Sequence, residues 1–272
     1  MNIKTKQKIE AIQEAFRVEG KVSLRRIYYI LGSKKLIKFS EWSYQQLSKD
    51  MVKWRDSNLI DPDMILDRRT SEIRPQVYDN FDEAFQELCD SFRLDSMGKQ
   101  KQYVEVWIEK DTMTQVFYGY CLRTHTPLIV SKGFTTYSEK HRAINRFSQT
   151  NKPIVILYFG DFDPEGEYIP ELLKQKFGRK IKFIKIVLTE QDIKKLPSVN
   201  LAINPKQFEK QYVKDFVRKY GKRKWEIEAL SFAEQRDRFV KALNKEISLQ
   251  VVGSVAKQSQ KEVELWKKEN LK

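Results

Sequence analysis

Cysteine and histidine are scarce in this sequence, with two of each among 272 residues. Cys89 and Cys121 cannot staple a chain of this length, which excludes a disulfide scaffold. Both stand in helix-like segments among apolar neighbours and read as free, buried thiols. His125 and His141 lie in different segments with no cysteine pair beside either, so a zinc site is not expected. Long apolar runs are also missing: nothing approaches the roughly 18–20 residues of a membrane span. The first 16 residues, MNIKTKQKIEAIQEAF, form a charged amphipathic pattern without the apolar core of a secretory signal. A cytoplasmic location away from membranes is therefore expected. Internal repeats and low-complexity tracts are absent as well.

What the chain has in quantity is charge. Fifty-one Lys and Arg against 37 Asp and Glu give +14. A basic balance favours a polyanionic partner such as DNA or RNA, but also suits a soluble protein that keeps away from its own isoelectric point. Apolar residues at 40% suffice for ordinary folded domains, and the length suits about two of them.

The first half of the sequence reads as helical. Ile9, Ile12, Ala15 and Phe16 recur at helical spacing over 4–17, and Glu19-Gly20 stops that helix. Ser23 caps a second helix from Leu24 to about Leu31. Ser40 caps a third, carrying Trp42, Leu47, Met51, Val52 and Trp54, and a strand-like Met64-Ile65-Leu66 follows the turn Asp61-Pro62-Asp63. Three short helices and a small extended element outline a winged-helix-like unit, although a plain helical bundle has the same pattern. In the winged-helix reading Tyr44, Lys49, Lys53 and Arg55 face solvent, and Arg68 and Arg69 follow the strand as further nucleic-acid contacts. A helix over Asn80–Phe92 carries one apolar stripe, and the polar run 95–101 marks the expected boundary between a domain over 1–98 and another over 99–272.

Beyond the boundary the rhythm becomes strand, helix, strand. Apolar runs at 103–108, 128–130, 153–159 and 181–188 alternate with helical segments near 112–122, 138–147 and 166–177. Continuous apolar strands separated by helices predict an α/β fold with a mostly parallel, Rossmann-like sheet covered on both faces. Sites in such sheets form outside the carboxyl ends of the strands. Two of these strands end in acid: VEVWI runs into Glu109-Lys110-Asp111, and PIVILYFG runs into Asp161-Phe162-Asp163-Pro164-Glu165-Gly166. If the strands are neighbours, Glu109, Asp161 and Asp163 converge. Like charges repel by about 4 kcal/mol at roughly 4 Å and an effective dielectric of about 20. A hard divalent cation, Mg²⁺ or Mn²⁺ in its place, relieves that repulsion through oxygen ligands. Taken alone, the Asp-x-Asp reads equally well as capping and turn residues.

WIEKDTMTQVF followed by YFGDFDPEGEYI resembles the TOPRIM domain of the Spo11 and topoisomerase VI A-subunit type, which carries EKD after its first strand and DxDPxG after a later one. The resemblance implies a Mg²⁺-binding Rossmann-like fold with Glu109, Asp161 and Asp163 as ligands. Glu109 and Lys110 would act in catalysis, and Asp111 and Glu165 are further acids within the matched motifs. Trp225-Glu226-Ile227-Glu228-Ala229-Leu230 is similar to a short ExEAL segment of that family, adding Glu226 and Glu228, though an amphipathic edge strand would look the same.

The family joins its TOPRIM domain to an upstream winged helix whose Arg-x-x-Tyr-Tyr supplies a nucleophile, and Arg25-Arg26-Ile27-Tyr28-Tyr29 resembles it. The match assigns catalysis to Tyr29. Helical spacing agrees in part: Leu24, Ile27, Tyr28 and Leu31 share the core face, whereas Tyr29 falls beside Arg25 and Arg26 on the charged face. Guanidiniums there would favour the phenolate and hold a phosphate. The implied activity is DNA cleavage through a 5′-phosphotyrosyl link by a homodimer; the alternatives are a metal-dependent nuclease that hydrolyses without a covalent intermediate, and a non-catalytic DNA-binding protein. The sequence contains no ATPase region, so strand passage would call for a separate ATPase or regulatory subunit. A basic stripe at Lys206, Lys210, Lys214 and Arg218 has the four-residue spacing of one helical face, suited to a phosphate backbone or simply to solvent.

Overall fold

The computed structural model describes residues 2–66, 75–130, 137–177, 181–201, 203 and 205–270. The amino-terminal helices are α1 (Ile3–Glu19), α2 (Leu24–Ser33) and α3 (Glu41–Asp56). Asn2, Ser23 and Ser40 cap them by accepting backbone N–H groups, and Gly20 ends α1 at a positive φ of 73°. The expected strand at 64–66 shrinks to one parallel bridge between Val22 and Ile65, because Met64 closes a 3-10 turn over Pro62–Met64. Arg68 and Arg69 lie outside the described residues.

The helix α4 (Phe81–Ser91) forms as expected, but none of its residues is buried: Phe81 and Leu88 of its apolar stripe are exposed, and Phe85 packs on Trp266. Trp42 and Val52 of α3 are exposed too, since they lie off the face that carries Leu47, Met51 and Trp54. The boundary after residue 98 falls within a 3-10 turn, Met97–Lys99, whose Met97 is buried in the same core as Ile27 and Val104.

The second half is a mixed α/β fold with a generic Rossmann-like core. Strands β1 (Tyr103–Ile108), β2 (Leu128–Val130), β3 (Ile154–Phe159) and β4 (Ile181–Lys185) make a parallel sheet in the order β2-β1-β3-β4. Helices α5 (Thr114–Thr124), α6 (Tyr137–Ser148) and α7 (Pro164–Phe177) alternate with them. Then come α8 (Glu190–Ile193), β5 (Val199–Asn200), α9 (Pro205–Phe208), α10 (Gln211–Tyr220) and β6 (Arg223–Lys224), with β5 and β6 paired antiparallel. Two long helices, α11 (Phe232–Glu246) and α12 (Leu249–Asn270), close the chain.

Alternation along the strands divides the core. Val104, Val106 and Ile108 of β1, with Val155, Leu157 and Phe159 of β3, face Phe117 and Cys121 of α5 and Phe239 and Leu243 of α11. Trp107, Ile156 and Tyr158 face Ala143 and Phe147 of α6 and Ile169 of α7. Each fully buried large side chain contributes about 1.5–3 kcal/mol, so both sheet faces are firmly held. Cys121 is a free buried thiol, as read from the sequence, while Cys89 is only half-buried. Among the described residues, no helix is long and apolar enough to cross a membrane.

Candidate metal centre

The register of β1 on β3 builds the site. Ile108 lies opposite Phe159, and the ladder continues one step as the Glu109 N–H donates to the Phe159 carbonyl at 3.0 Å. Both strands thus end level, and the residues that follow them emerge together. Glu109, Asp161 and Asp163 each present a carboxylate oxygen, all within 4.8 Å of one another. This is the convergence expected from the acid-terminated strands.

The backbone fixes each carboxylate. Glu109 Oε2 accepts from the Asp161 N–H at 3.0 Å and from the Tyr158 hydroxyl at 3.1 Å. Asp161 Oδ1 accepts from the Ile227 N–H at 2.9 Å, and Phe162 makes an antiparallel bridge to Trp225. Asp163 Oδ1 accepts from the Gly166 N–H at 2.8 Å, in the first turn of α7. Gly166 is required there, because a Cβ would stand 2.4 Å from the Asp161 carbonyl oxygen.

Electrostatics mark the site. Burial, then the nearby Asp161 and Asp163, push the Glu109 carboxyl up to about 7. Burial also raises Asp163, against the opposing pull of the Gly166 N–H. Such carboxylates, crowded and partly desolvated, favour a cation or a proton. Three oxygen donors without sulfur or imidazole fit a hard divalent ion such as Mg²⁺. The trio is therefore a candidate divalent-metal site, consistent with metal-dependent enzymatic function.

A second layer of charge lies behind it. Lys110 Nζ stands 3.0 Å from Asp161 Oδ2 and 2.6 Å from Glu228 Oε2. Burial opposes its charge, but Asp161, Glu228 and Glu226 outweigh burial and hold the ammonium well above the usual lysine range. Glu226 meets Lys224 at 2.9 Å and Arg25 at 3.3 Å. Despite its burial, Lys110, Lys224 and Arg25 hold Glu226 below the usual glutamate range. Glu226 and Glu228 thus belong to the buried network rather than to a solvated edge strand; they flank and occupy the 3-10 turn Ile227–Ala229. Asp111 accepts from the Thr114 hydroxyl, and Glu165 lines a cleft with Asp163, Pro164 and Lys224; neither joins the trio.

The tyrosine pair differs from the helical-wheel expectation. Tyr28 is core, its hydroxyl donating to the Ser40 carbonyl, but Tyr29 is equally buried at 1% exposure. The turn at Ile227–Ala229 and the ring of Phe39 cover the face of α2 that the wheel assigns to solvent. The Tyr29 hydroxyl donates to Glu226 Oε2 at 3.3 Å. Burial, with Glu226 and Glu228, raises its pKa, the reverse of the activation expected from neighbouring guanidiniums. Arg26 turns to the Glu19 carboxylate and the Glu228 carbonyl, while Arg25 lies over the Tyr44 ring.

The expected basic stripe is interrupted. Lys210 is extended and caps α10, so Lys206 on α9 and Lys214 and Arg218 on α10 do not share one helix, and Arg218 pairs with Asp215. On α3, Lys49 and Lys53 are exposed, whereas Tyr44 is half-buried and Arg55 folds back onto the Met51 carbonyl. Sequence reasoning missed Glu105, fully buried in β1, which accepts from Tyr103, Trp107 and Arg146. An acid in the middle of an apolar strand was the available signal. Neither the family models nor the curated proteins compared with this chain give a match.

Proposed function

We propose that this protein is a metal-dependent phosphodiesterase that hydrolyses nucleic acid, with DNA as its substrate. The observation that carries the reading is the convergence of Glu109, Asp161 and Asp163 at the ends of two adjacent parallel strands. A divalent ion bound there neutralises charge on a phosphodiester and polarises its phosphorus–oxygen bond. Glu109, whose carboxyl lies near 7 in the absence of an ion, would give up its proton as the ion binds and serve as a ligand. Lys110 steadies Asp161. The net charge of +14 and the exposed Lys49 and Lys53 supply attraction for a polyanion. The amino-terminal helices would act as the winged-helix-like DNA-binding unit, with the TOPRIM-like sheet as the cutting unit. The resemblance of the EKD and DxDPxG segments supports this arrangement and extends it to a homodimer served by a separate ATPase or regulatory subunit.

Hydrolysis is favoured over transesterification because the Tyr29 phenol is buried and its pKa raised. One observation favours the covalent route as a second reading: Tyr29 bonds Glu226, whose charge network reaches Lys110 and Asp161 in the same chain. Supercoiled DNA incubated with Mg²⁺, stopped with detergent and treated with protease, separates the two. Cutting that survives Tyr29→Phe and is lost in Asp161→Asn supports hydrolysis. A protein–DNA adduct lost in Tyr29→Phe establishes the covalent route. Absence of any cutting by the unmodified protein refutes both.

A further inference from the structure

We propose that the Lys110 ammonium is a resident cation that fills a second cation position beside the metal centre, so that the site takes one divalent ion rather than two. This rests on the reading of Glu109, Asp161 and Asp163 as metal ligands. The geometry is that of a bridged site: one Nζ lies between Asp161 Oδ2 at 3.0 Å and Glu228 Oε2 at 2.6 Å. Asp161 is shared: it belongs to the trio, and its Oδ2 meets Lys110. Two-metal phosphodiesterases use a shared carboxylate between ions about 3.5–4 Å apart. Here the group bridging Asp161 and Glu228 is the ammonium, which would take the place of a second ion on that pair.

Charge balance points the same way. The cluster contains six carboxylates, the buried Asp161, Glu226 and Glu228, the half-buried Glu109 and Asp163, and Glu165 beside Asp163, against three partly exposed cations, Lys110, Lys224 and Arg25. The cluster keeps an excess of negative charge that one divalent ion largely offsets, and on the Asp161–Glu228 side Lys110 already supplies the positive charge. The neighbouring pairs Arg26–Glu19 and Lys185–Glu167 are each neutral and leave this balance unchanged. Glu226 already meets Arg25 and Lys224, so the oxygens that Lys110 would release are those of Asp161 and Glu228. Lys110 is thus a positioning residue, and Glu228 serves to hold it.

The test counts Mn²⁺ bound to the full chain, from the loss of the free-ion spin-resonance signal during titration. The expected result is one ion per chain for the unmodified protein, two for Lys110→Met, and one again for the double variant Lys110→Met/Glu228→Gln. Two ions on the unmodified protein, or a folded Lys110→Met variant that still binds one, overturns the proposal. If the unmodified protein binds none, the reading of the acidic trio fails and takes the present proposal with it, whereas the two outcomes just named overturn the proposal and leave that reading standing. Should Lys110→Met be too unstable for titration, its melting temperature decides. Millimolar Mn²⁺ must raise it well beyond the rise shown by the unmodified protein, and an equal or smaller rise counts against a vacated cation position.

Discussion

Metal affinity at this centre must depend on pH in a way set by Glu109. Its carboxyl lies at about 7 instead of the ordinary 4.5, so below neutrality an incoming ion has to displace a proton. For one displaced proton the apparent affinity is divided by one plus the ratio of hydrogen-ion activity to the acid constant. Between pH 8 and pH 6 that amounts to about a tenfold loss. The same change across this range would be only a few per cent for an ordinary carboxylate with a pKa of about 4.3. Calorimetric titration with Mn²⁺ in buffers of different ionisation enthalpy measures both quantities. It should show about 0.9 proton released per ion at pH 6 and about 0.1 at pH 8. Asp163 is raised as well and acts in the same direction. Equal affinity at pH 6 and 8 with no proton release would refute the reasoning. The metal-free protein has the complementary signature. A carboxyl whose folded pKa is raised stabilises the fold fully below its unfolded value, and that contribution is lost as pH climbs from about 4.5 towards 7. The ceiling on this loss is about 3 kcal/mol, and added Mn²⁺ should remove the decline.

Three substitutions probe the supporting structure. Asp161→Asn keeps an acceptor for the Ile227 N–H but loses a charge; it should weaken Mn²⁺ binding by more than about 100-fold with little change in melting temperature, and a collapse in circular dichroism would make Asp161 structural instead. Gly160→Ala places a Cβ 2.0 Å from the Tyr158 hydroxyl and 2.7 Å from Glu109 Oε2. Displacing both should cost about 1–3 kcal/mol in urea unfolding and lower metal affinity, and an unchanged affinity would show that Glu109 is not held by this turn. Arg146→Met leaves Glu105 buried without its cation and should destabilise by about 3 kcal/mol, whereas a loss below about 1 kcal/mol would mean that Tyr103 and Trp107 satisfy it alone.

The sheet and its acidic edge were legible in the sequence for one reason: apart from Glu105, 103–108 and 153–159 are apolar, as strands buried on both faces are, and each is followed within two residues by acid. Their adjacency was an assumption until the pairing of Ile108 with Phe159 placed the ends level. What could not be read were coverings supplied from far along the chain. A helical wheel identified two faces on α2, but only the turn at Ile227–Ala229, some 200 residues later, decides that the Tyr29 face is closed. The converse holds for α4, whose apolar stripe promised burial that none of the described residues provides for Phe81 and Leu88. The basic stripe failed for a local reason, since spacing by four implies one face only while the helix is continuous, and Lys210 is extended. Lys110 was singled out only through the EKD resemblance, and its contacts with Asp161 and Glu228 required the fold.

The central claim is that acids ending two neighbouring strands hold one divalent ion. Crystals of the full chain soaked in Mn²⁺ and measured at the manganese absorption edge test it directly. The account predicts a single anomalous peak within about 2.1–2.3 Å of an oxygen from each of Glu109, Asp161 and Asp163. Its absence at saturating Mn²⁺ and pH 8, or a peak located elsewhere on the molecule, would contradict it.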